Sequence, residues 1–140
     1  MAPIGILDLQ GGVVEHLGHL QRLGVAAARV KKAADLADLA GLIIPGGEST
    51  CLGRLLRLTG LDQAICERHR AGLKLWGTCA GAILLARRIR DEAPHLGLLD
   101  ITIARNAFGS QLDSFNILAE VPAVADAPIP LTFIRAPQII

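Results

Sequence analysis

The segment LWGTCAGAILLA, residues 75–86, decides how the chain is interpreted, because it places one cysteine between two glycines where two patterns meet. Leu73 to Gly77 is a short apolar run typical of a buried strand, whereas Ala80 to Arg90 has helical spacing. Gly77 to Gly81 has the form G-x-C-x-G, the pattern of a nucleophile elbow with cysteine in place of serine. A sharp strand-to-helix turn leaves little room for side chains, hence the glycines. The sequence therefore predicts that Cys79 points into a cleft.

Three apolar runs before the elbow have the same strand-like character. They span Ile4 to Leu9, Val25 to Val30, and Gly41 to Ile44. Helical spacing separates the runs, and Ser49 or Thr50 is available to cap the helix that follows the third run. Strands that alternate with helices of this length predict a parallel α/β sheet in a single domain, residues 1–140.

The alternation breaks down in the C-terminal half. Leu98 to Ala104, Leu112 to Glu120 and Leu131 to Ile134 resemble strands without a helix between them. Because strands joined by short connections pair antiparallel, we expect antiparallel additions beside the parallel core.

Composition excludes several classes of protein. The formal charge is +1 over 140 residues, which provides no basic field for nucleic acid or an anionic membrane. The longest uncharged apolar run has twelve residues, 75–86, and the N-terminus has no basic leader, so we expect a soluble, cytoplasmic protein. Three cysteines without metal-type spacing fit reduced thiols and predict no metal site.

Three strand ends carry unusual residues. They are Gln10-Gly11-Gly12, the run 45–50 (PGGEST) and the elbow 77–81. Because ligands bind at the carboxyl edge of parallel strands, we expect these loops to converge on one pocket. The N–H groups of Ala80 and Gly47 could then stabilise an oxyanion, and the helix N-terminus would favour a Cys79 thiolate. This arrangement predicts acyl transfer.

Each candidate has a plainer interpretation. A cysteine in an apolar run is commonly a core residue, and this is our prediction for Cys66. Cys51 lies near a helix start but lacks the elbow glycines. The glycines of the 45–47 loop could form a simple turn or a phosphate nest, although neither phosphate-binding motif is present. His16 and the other helical histidines, His19 and His69, are predicted to be solvated.

Taken together, the motifs closely resemble those of the glutaminase subunits of pyridoxal 5'-phosphate synthase, within the class I glutamine amidotransferases. The resemblance rests on the three loops above and on further runs in the family's order: HLGLL at 95–99, RNAFG at 105–109, DSF at 113–115 and FIRAP at 133–137. It implies a flavodoxin-like three-layer fold with a parallel core sheet and antiparallel additions in the C-terminal half.

The same resemblance implies the chemistry and the partners. Cys79 would attack the amide of L-glutamine, form a glutamyl thioester and release ammonia to a separate synthase subunit, without a cofactor. Gly47 and Ala80 would form the oxyanion hole. Gln10 would act at the subunit interface and in activation. Glutamine would be bound by Gly47, Glu48, Ser49, Arg105, Ile134 and Arg135.

Two departures from the family pattern bear on activity. Ser110 stands where the family has arginine. The family also orients its cysteine with a His-Pro-Glu stretch downstream of the FIRAP motif, whereas this sequence ends at Ile140 with no histidine after His95. His95 occupies the family's own HLGLL position, so we do not assign it as the base. Without a general base each proton transfer loses typically ~10²- to 10⁴-fold.

The C-terminus therefore leaves several alternatives open. The sequence resembles an incomplete domain, which would be a truncated chain, a chain whose last segment is not included, or the product of a shortened gene. The alternative function is a catalytically deficient module that docks on the synthase subunit. A third possibility, a cysteine peptidase-like hydrolase, requires a histidine near Cys79 that the sequence does not place there.

Overall fold

The computed structural model describes residues 1–105, 115–133 and 136–140. The elements up to the elbow are β1 (Ile4–Leu7), α1 (Val13–Arg22), β2 (Ala27–Val30), a 3-10 turn (Ala33–Leu36), β3 (Gly41–Ile44), α2 (Ser49–Thr59), α3 (Leu61–Arg70), β4 (Lys74–Gly77) and α4 (Ala80–Leu85). They are followed by β5 (Ala86–Ile89), β6 (Leu99–Ala104), β7 (Phe115–Ala119), β8 (Ile129–Phe133) and β9 (Gln138–Ile139). Within the described ranges, no helix combines the length and apolarity needed to cross a bilayer.

The core of the molecule is a four-stranded parallel sheet in the order β2-β1-β3-β4. Side chains alternate between its faces. On one face Ile6 and Ile43 pack against Val13 of α1. On the other, Leu42 and Ile44 join the large cluster formed with α2, α3 and α4. The predicted parallel sheet between helical layers is therefore confirmed, with strands shorter than predicted at 4–9 and 25–30.

The later strands form two small sheets. β6 pairs antiparallel with β9, and β7 pairs antiparallel with β8, which confirms the predicted antiparallel additions. β5, however, pairs parallel with β6. The predicted strands at 112–120 and 131–134 are observed as β7 and β8, while residues 112–114 and 134 lie outside the described residues.

The predicted helix from Ala80 to Arg90 is wrong in its second half. α4 ends at Leu85, and Ala86 adopts extended backbone (φ −59°, ψ 137°) at the start of β5. Ile83, Ala86 and Ile89 lie three residues apart, which fits a helical face. In β5 an irregularity in register between Ala86 and Arg88 produces the same spacing, and both Ala86 and Ile89 are buried against Ile103.

Candidate active site

The three loops singled out by the sequence meet at the carboxyl edge of the sheet, as predicted. The N–H of Gly12 donates to the carbonyl of Gly46 at 2.9 Å, which joins the first loop to the second. The N–H of Thr78 donates to the carbonyl of Ile44 at 3.0 Å, which joins the elbow to the end of β3. Backbone hydrogen bonds therefore fix the mutual positions of all three loops.

The elbow presents Cys79 in a strained conformation. Cys79 has φ 51° and ψ −108°, a region that non-glycine residues rarely occupy, and its side chain is exposed. A Cβ at Gly77 would lie 2.5 Å from the carbonyl of Gly81, and a Cβ at Gly81 would collide with the carbonyl oxygen of Ile44. The G-x-C-x-G spacing is thus required by close backbone contacts on both sides of the cysteine.

The 45–48 loop lies directly beside the cysteine. A Cβ built on Gly46 would be 3.4 Å from the Cβ of Cys79. Next to it, the side chain of Gln10 covers Gly47 and its Oε1 accepts the N–H of Glu48 at 2.9 Å. The candidate oxyanion donors, Gly47 and Ala80, therefore belong to two segments in contact. The side chain of Gln10 lies against Gly47.

Glu48 caps α2, a role the sequence analysis gave wrongly to Ser49 or Thr50. Its carboxylate accepts the N–H of Thr50 at 3.2 Å and that of Cys51 at 2.7 Å. The hydrogen bond from Cys51 is the largest cause that lowers the pKa of Glu48, followed by the bonds from Thr50 and the charge of Arg105. Carboxylates suit this position because the helix N-terminus carries unpaired N–H groups.

Ser49 begins α2 and is buried rather than exposed. Its Oγ has no hydrogen-bond partner among the described residues. A buried hydroxyl without a partner is costly, so this atom can accept or donate a bond to a group placed at this edge.

Arg105 joins the site from the end of β6. Its Nη2 lies 3.4 Å from Glu48, and its Nη1 donates to the Thr50 hydroxyl at 3.3 Å. Nη1 also forms an ion pair with Glu92 at 2.6 Å. The structure therefore brings Glu48 and Arg105 together as predicted. It adds Glu92, which the sequence did not single out because it lies in a loop without a recognisable motif.

Two predicted substrate-binding residues, Ile134 and Arg135, lie outside the described residues. So do residues 106–114, which include Ser110 and part of the RNAFG and DSF motifs. Their assignments stay predictions.

Of the other two cysteines, Cys66 packs as predicted. Cys66 packs against the main core, its Sγ faces the carbonyl of Leu96 at 3.8 Å, and burial raises the pKa of its thiol. Cys51 is exposed on α2. In the described part of the chain, no three His, Cys, Asp or Glu side chains lie close enough to hold a metal ion.

The prediction of a solvated His16 is wrong. Its Nε2 lies 3.1 Å from the hydroxyl of Thr78, and its ring packs edge-on against Trp76 with 6.1 Å between centroids. Helical spacing placed His16 on the outer part of α1, but the elbow reaches that surface. His95 is half-buried, and neither of its ring nitrogens has a partner among the described residues.

The chain matches known proteins over nearly its whole length. Residues 6–140 match the model of the SNO glutamine amidotransferase family. It is 62% identical over 136 residues to the pyridoxal 5'-phosphate synthase subunit PdxT of Syntrophus aciditrophicus, covering 97% of this chain and 61% of that protein. The subunit of the same name from Clostridium beijerinckii is 47% identical over 137 residues, covering 97% and 72%.

Solved structures agree with these matches. A crystal structure of a glutamine amidotransferase superimposes with a TM-score of 0.89 at 45% identity, covering 97% of this chain and 72% of that one. A structure of PurLQS from Thermotoga maritima has a TM-score of 0.61 at 17% identity, which shows a shared fold alone. The chain thus spans 61% to 72% of the length of these PdxT relatives.

Proposed function

The chain belongs to the SNO glutamine amidotransferase family, and from this premise we propose that the protein is a glutaminase that hydrolyses L-glutamine to glutamate and ammonia. The observation that carries the proposal is the exposed Cys79, held at positive φ where three loops meet. Strained backbone of this kind persists where the surrounding structure over-determines it, and it is typical of nucleophile elbows.

In the proposed reaction Cys79 acts as the nucleophile. Its sulfur attacks the side-chain carbonyl carbon of glutamine, and the N–H groups of Gly47 and Ala80 stabilise the oxyanion. The carbon–nitrogen bond breaks, the nitrogen takes up the proton that the thiol has lost and leaves as ammonia, and a glutamyl thioester remains. Water then attacks the thioester, which releases glutamate and returns the thiol.

Charged residues beside the elbow suit the two charged groups on the α-carbon of glutamine. The carboxylate of Glu48 matches the α-ammonium group of glutamine, and the forked donors of Arg105 match its α-carboxylate. These two side chains already lie 3.4 Å apart, close to the length of an ion pair that a zwitterion could replace. Gly47, Ser49, Ile134 and Arg135 complete the proposed binding site.

We assign the ammonia to a partner. The relatives in the comparison are named as subunits of pyridoxal 5'-phosphate synthase. The proposal is that this protein passes ammonia to a synthase subunit of that complex, for vitamin B6 synthesis in the cytoplasm, and that it uses no cofactor. Gln10, which accepts the N–H of Glu48, is proposed to link docking of that subunit to the oxyanion loop.

Proton transfer distinguishes this proposal from its alternative. Release of ammonia and attack by water both need a general acid or base, worth typically ~10²- to 10⁴-fold. The 140 residues contain no His-Pro-Glu stretch of the kind that the family resemblance implies. The alternative to the proposal is a catalytically deficient module that docks on the synthase subunit, which ammonia release by the full-length protein would exclude.

The test uses the full-length gene product together with its synthase partner. A diazoketone analogue of glutamine should label Cys79, as located by peptide mass spectrometry, and Cys79→Ser should lose both the label and ammonia release. Cys51 is a second exposed cysteine, so Cys51→Ser is the matched control and should keep both the label at Cys79 and ammonia release. Labelling at Cys51 instead would refute the proposal, while labelling without ammonia release would support the docking module.

A further inference from the structure

Backbone hydrogen bonds hold the elbow, and a side-chain hydrogen bond adds to them. The N–H of Thr78 donates to Ile44, and the carbonyl of Thr78 accepts the N–H of Gly81 at 2.9 Å. In addition, the hydroxyl of Thr78 forms a hydrogen bond with His16, which lies on α1. Because Thr78 directly precedes Cys79, any rotation of its backbone changes the direction of the sulfur.

We propose that His16 is a positioning residue for the nucleophile: its ring holds the hydroxyl of Thr78 and thereby fixes the turn that presents Cys79. The inference rests on the proposed function for its effect on turnover. A non-glycine residue in this backbone region is strained and persists where its neighbours hold it. The hydrogen bond between His16 and Thr78, one residue before Cys79, can supply such support.

The surroundings of His16 favour a fixed ring. Trp76 packs against the ring edge-on, which limits its rotation. Burial is the largest cause that lowers the pKa of His16, with the nearby His19 adding to the effect and Glu15 opposing it. A neutral imidazole can accept a bond from the Thr78 hydroxyl or donate one to it, so either tautomer maintains the contact.

The same helix also leads back to the oxyanion loop. α1 begins three residues after Gln10, whose side chain accepts the N–H of Glu48. α1 and the turn before it therefore contact both halves of the catalytic edge: Gln10 on the 45–48 loop and His16 on the elbow. A displacement of α1 would disturb both at once.

The experiment compares variants on each side of the contact. His16→Ala and Thr78→Val remove the hydrogen bond, whereas His16→Gln and Thr78→Ser keep a donor or acceptor within reach. His19→Gln is the matched control, because His19 lies on the exposed side of the same helix and bonds Arg22. Each variant is made in the full-length protein, checked for folding by its Tm, and assayed with the synthase subunit.

We expect His16→Ala and Thr78→Val each to lower kcat by about tenfold with KM within about twofold, since small misplacements of a reacting group act on rate. The double variant should be no slower than either single one, and His16→Gln and Thr78→Ser should recover most of the rate. Unchanged kcat in both single variants, or additive losses in the double variant, would overturn the proposal.

A second measurement does not depend on turnover. Amide hydrogen exchange at Gly81, whose N–H bonds the Thr78 carbonyl, should speed up at least about fivefold in His16→Ala and stay unchanged in His19→Gln. Faster exchange in a protein without glutaminase activity would uphold the positioning role while refuting the proposed function. Unchanged exchange would overturn the positioning role itself.

Discussion

The strand that receives the elbow, β3, and the strands that follow α4 are stabilised in different ways. Every residue of β3 is buried, and its last carbonyl receives the elbow. In β7, by contrast, four of the five residues are exposed, and its described ladder is with β8. The sulfur is therefore held by the main core, whereas Arg105 reaches the same edge from the second region.

The difference extends to the contacts that join the two regions at the site. The elbow and the end of β3 are linked by a close backbone contact that leaves no room for a methyl group at Gly81. Arg105 is linked to Glu48 and Glu92 by partly exposed ion pairs, which contribute about 0 to 1 kcal/mol because water competes for them. Such pairs can be exchanged for a substrate's charges at little cost. The site thus combines a rigidly held Cys79, the proposed nucleophile, with exchangeable ion pairs at Arg105.

The largest expected effect is on stability and comes from a change in the elbow. Gly81→Ala places a methyl group against the carbonyl of Ile44, where neither backbone can move without breaking the elbow. We expect the free energy of unfolding to fall by about 3 kcal/mol, as measured by urea denaturation.

The matched control for this change is Gly18→Ala on α1. A Cβ there would meet Arg22 Nη1 at 3.8 Å, which is ordinary contact. Alanine should therefore stabilise this helix by about 0.5 to 1 kcal/mol. Equal effects at the two positions would contradict the view that close packing fixes the elbow.

The next largest effect tests the exchangeable ion pairs of Arg105. Arg105→Ala should raise KM for glutamine by about 10- to 100-fold, the value of a hydrogen bond to a charged group, with kcat changed by less than about threefold. Glu92→Gln should act in the opposite direction and lower KM by about twofold, because it removes a competitor for Arg105. Steady-state kinetics of the full-length protein with its partner measures both.

The two variants show whether Glu92 competes with glutamine for Arg105 or holds Arg105 in position. If Glu92→Gln raised KM as much as Arg105→Ala, Glu92 would be holding Arg105 in place rather than competing with glutamine. Neither change should alter the free energy of unfolding by more than about 1 kcal/mol, because the pair is partly exposed.

The sequence predicted the parts of this arrangement that follow from local pattern. The buried strand at 41–44 and the G-x-C-x-G elbow were found because burial and backbone crowding restrict residue type strongly. The end of α4 was missed because an irregular strand can space its buried residues three apart, as Ala86 and Ile89 do. Periodicity cannot distinguish that spacing from one helical face.

Contacts between distant segments escaped prediction for a different reason. His16 and Thr78 are 62 positions apart, and Arg105 and Glu92 are joined across a loop. Nothing in the local pattern of either residue indicates its partner. The resemblance to a family placed Glu48 and Arg105 in one site, but it carried no information on Glu92, whose position has no motif.

The smallest expected effect concerns the cap that joins the two regions. Hydrogen bonds from α2 and the charge of Arg105 lower the pKa of Glu48 from its ordinary value of 4.5, so the folded state favours the carboxylate. This contribution is fully present above pH 4.5 and is lost as the pH falls through the lowered pKa. Because Glu48 is exposed, Glu48→Gln should destabilise the protein by only about 0.5 to 1 kcal/mol at pH 7. The difference from the unmutated protein should shrink steadily below pH 4.5 in urea titrations. A Glu48→Gln difference that stayed constant down to acid pH would mean that shape rather than charge makes Glu48 the cap.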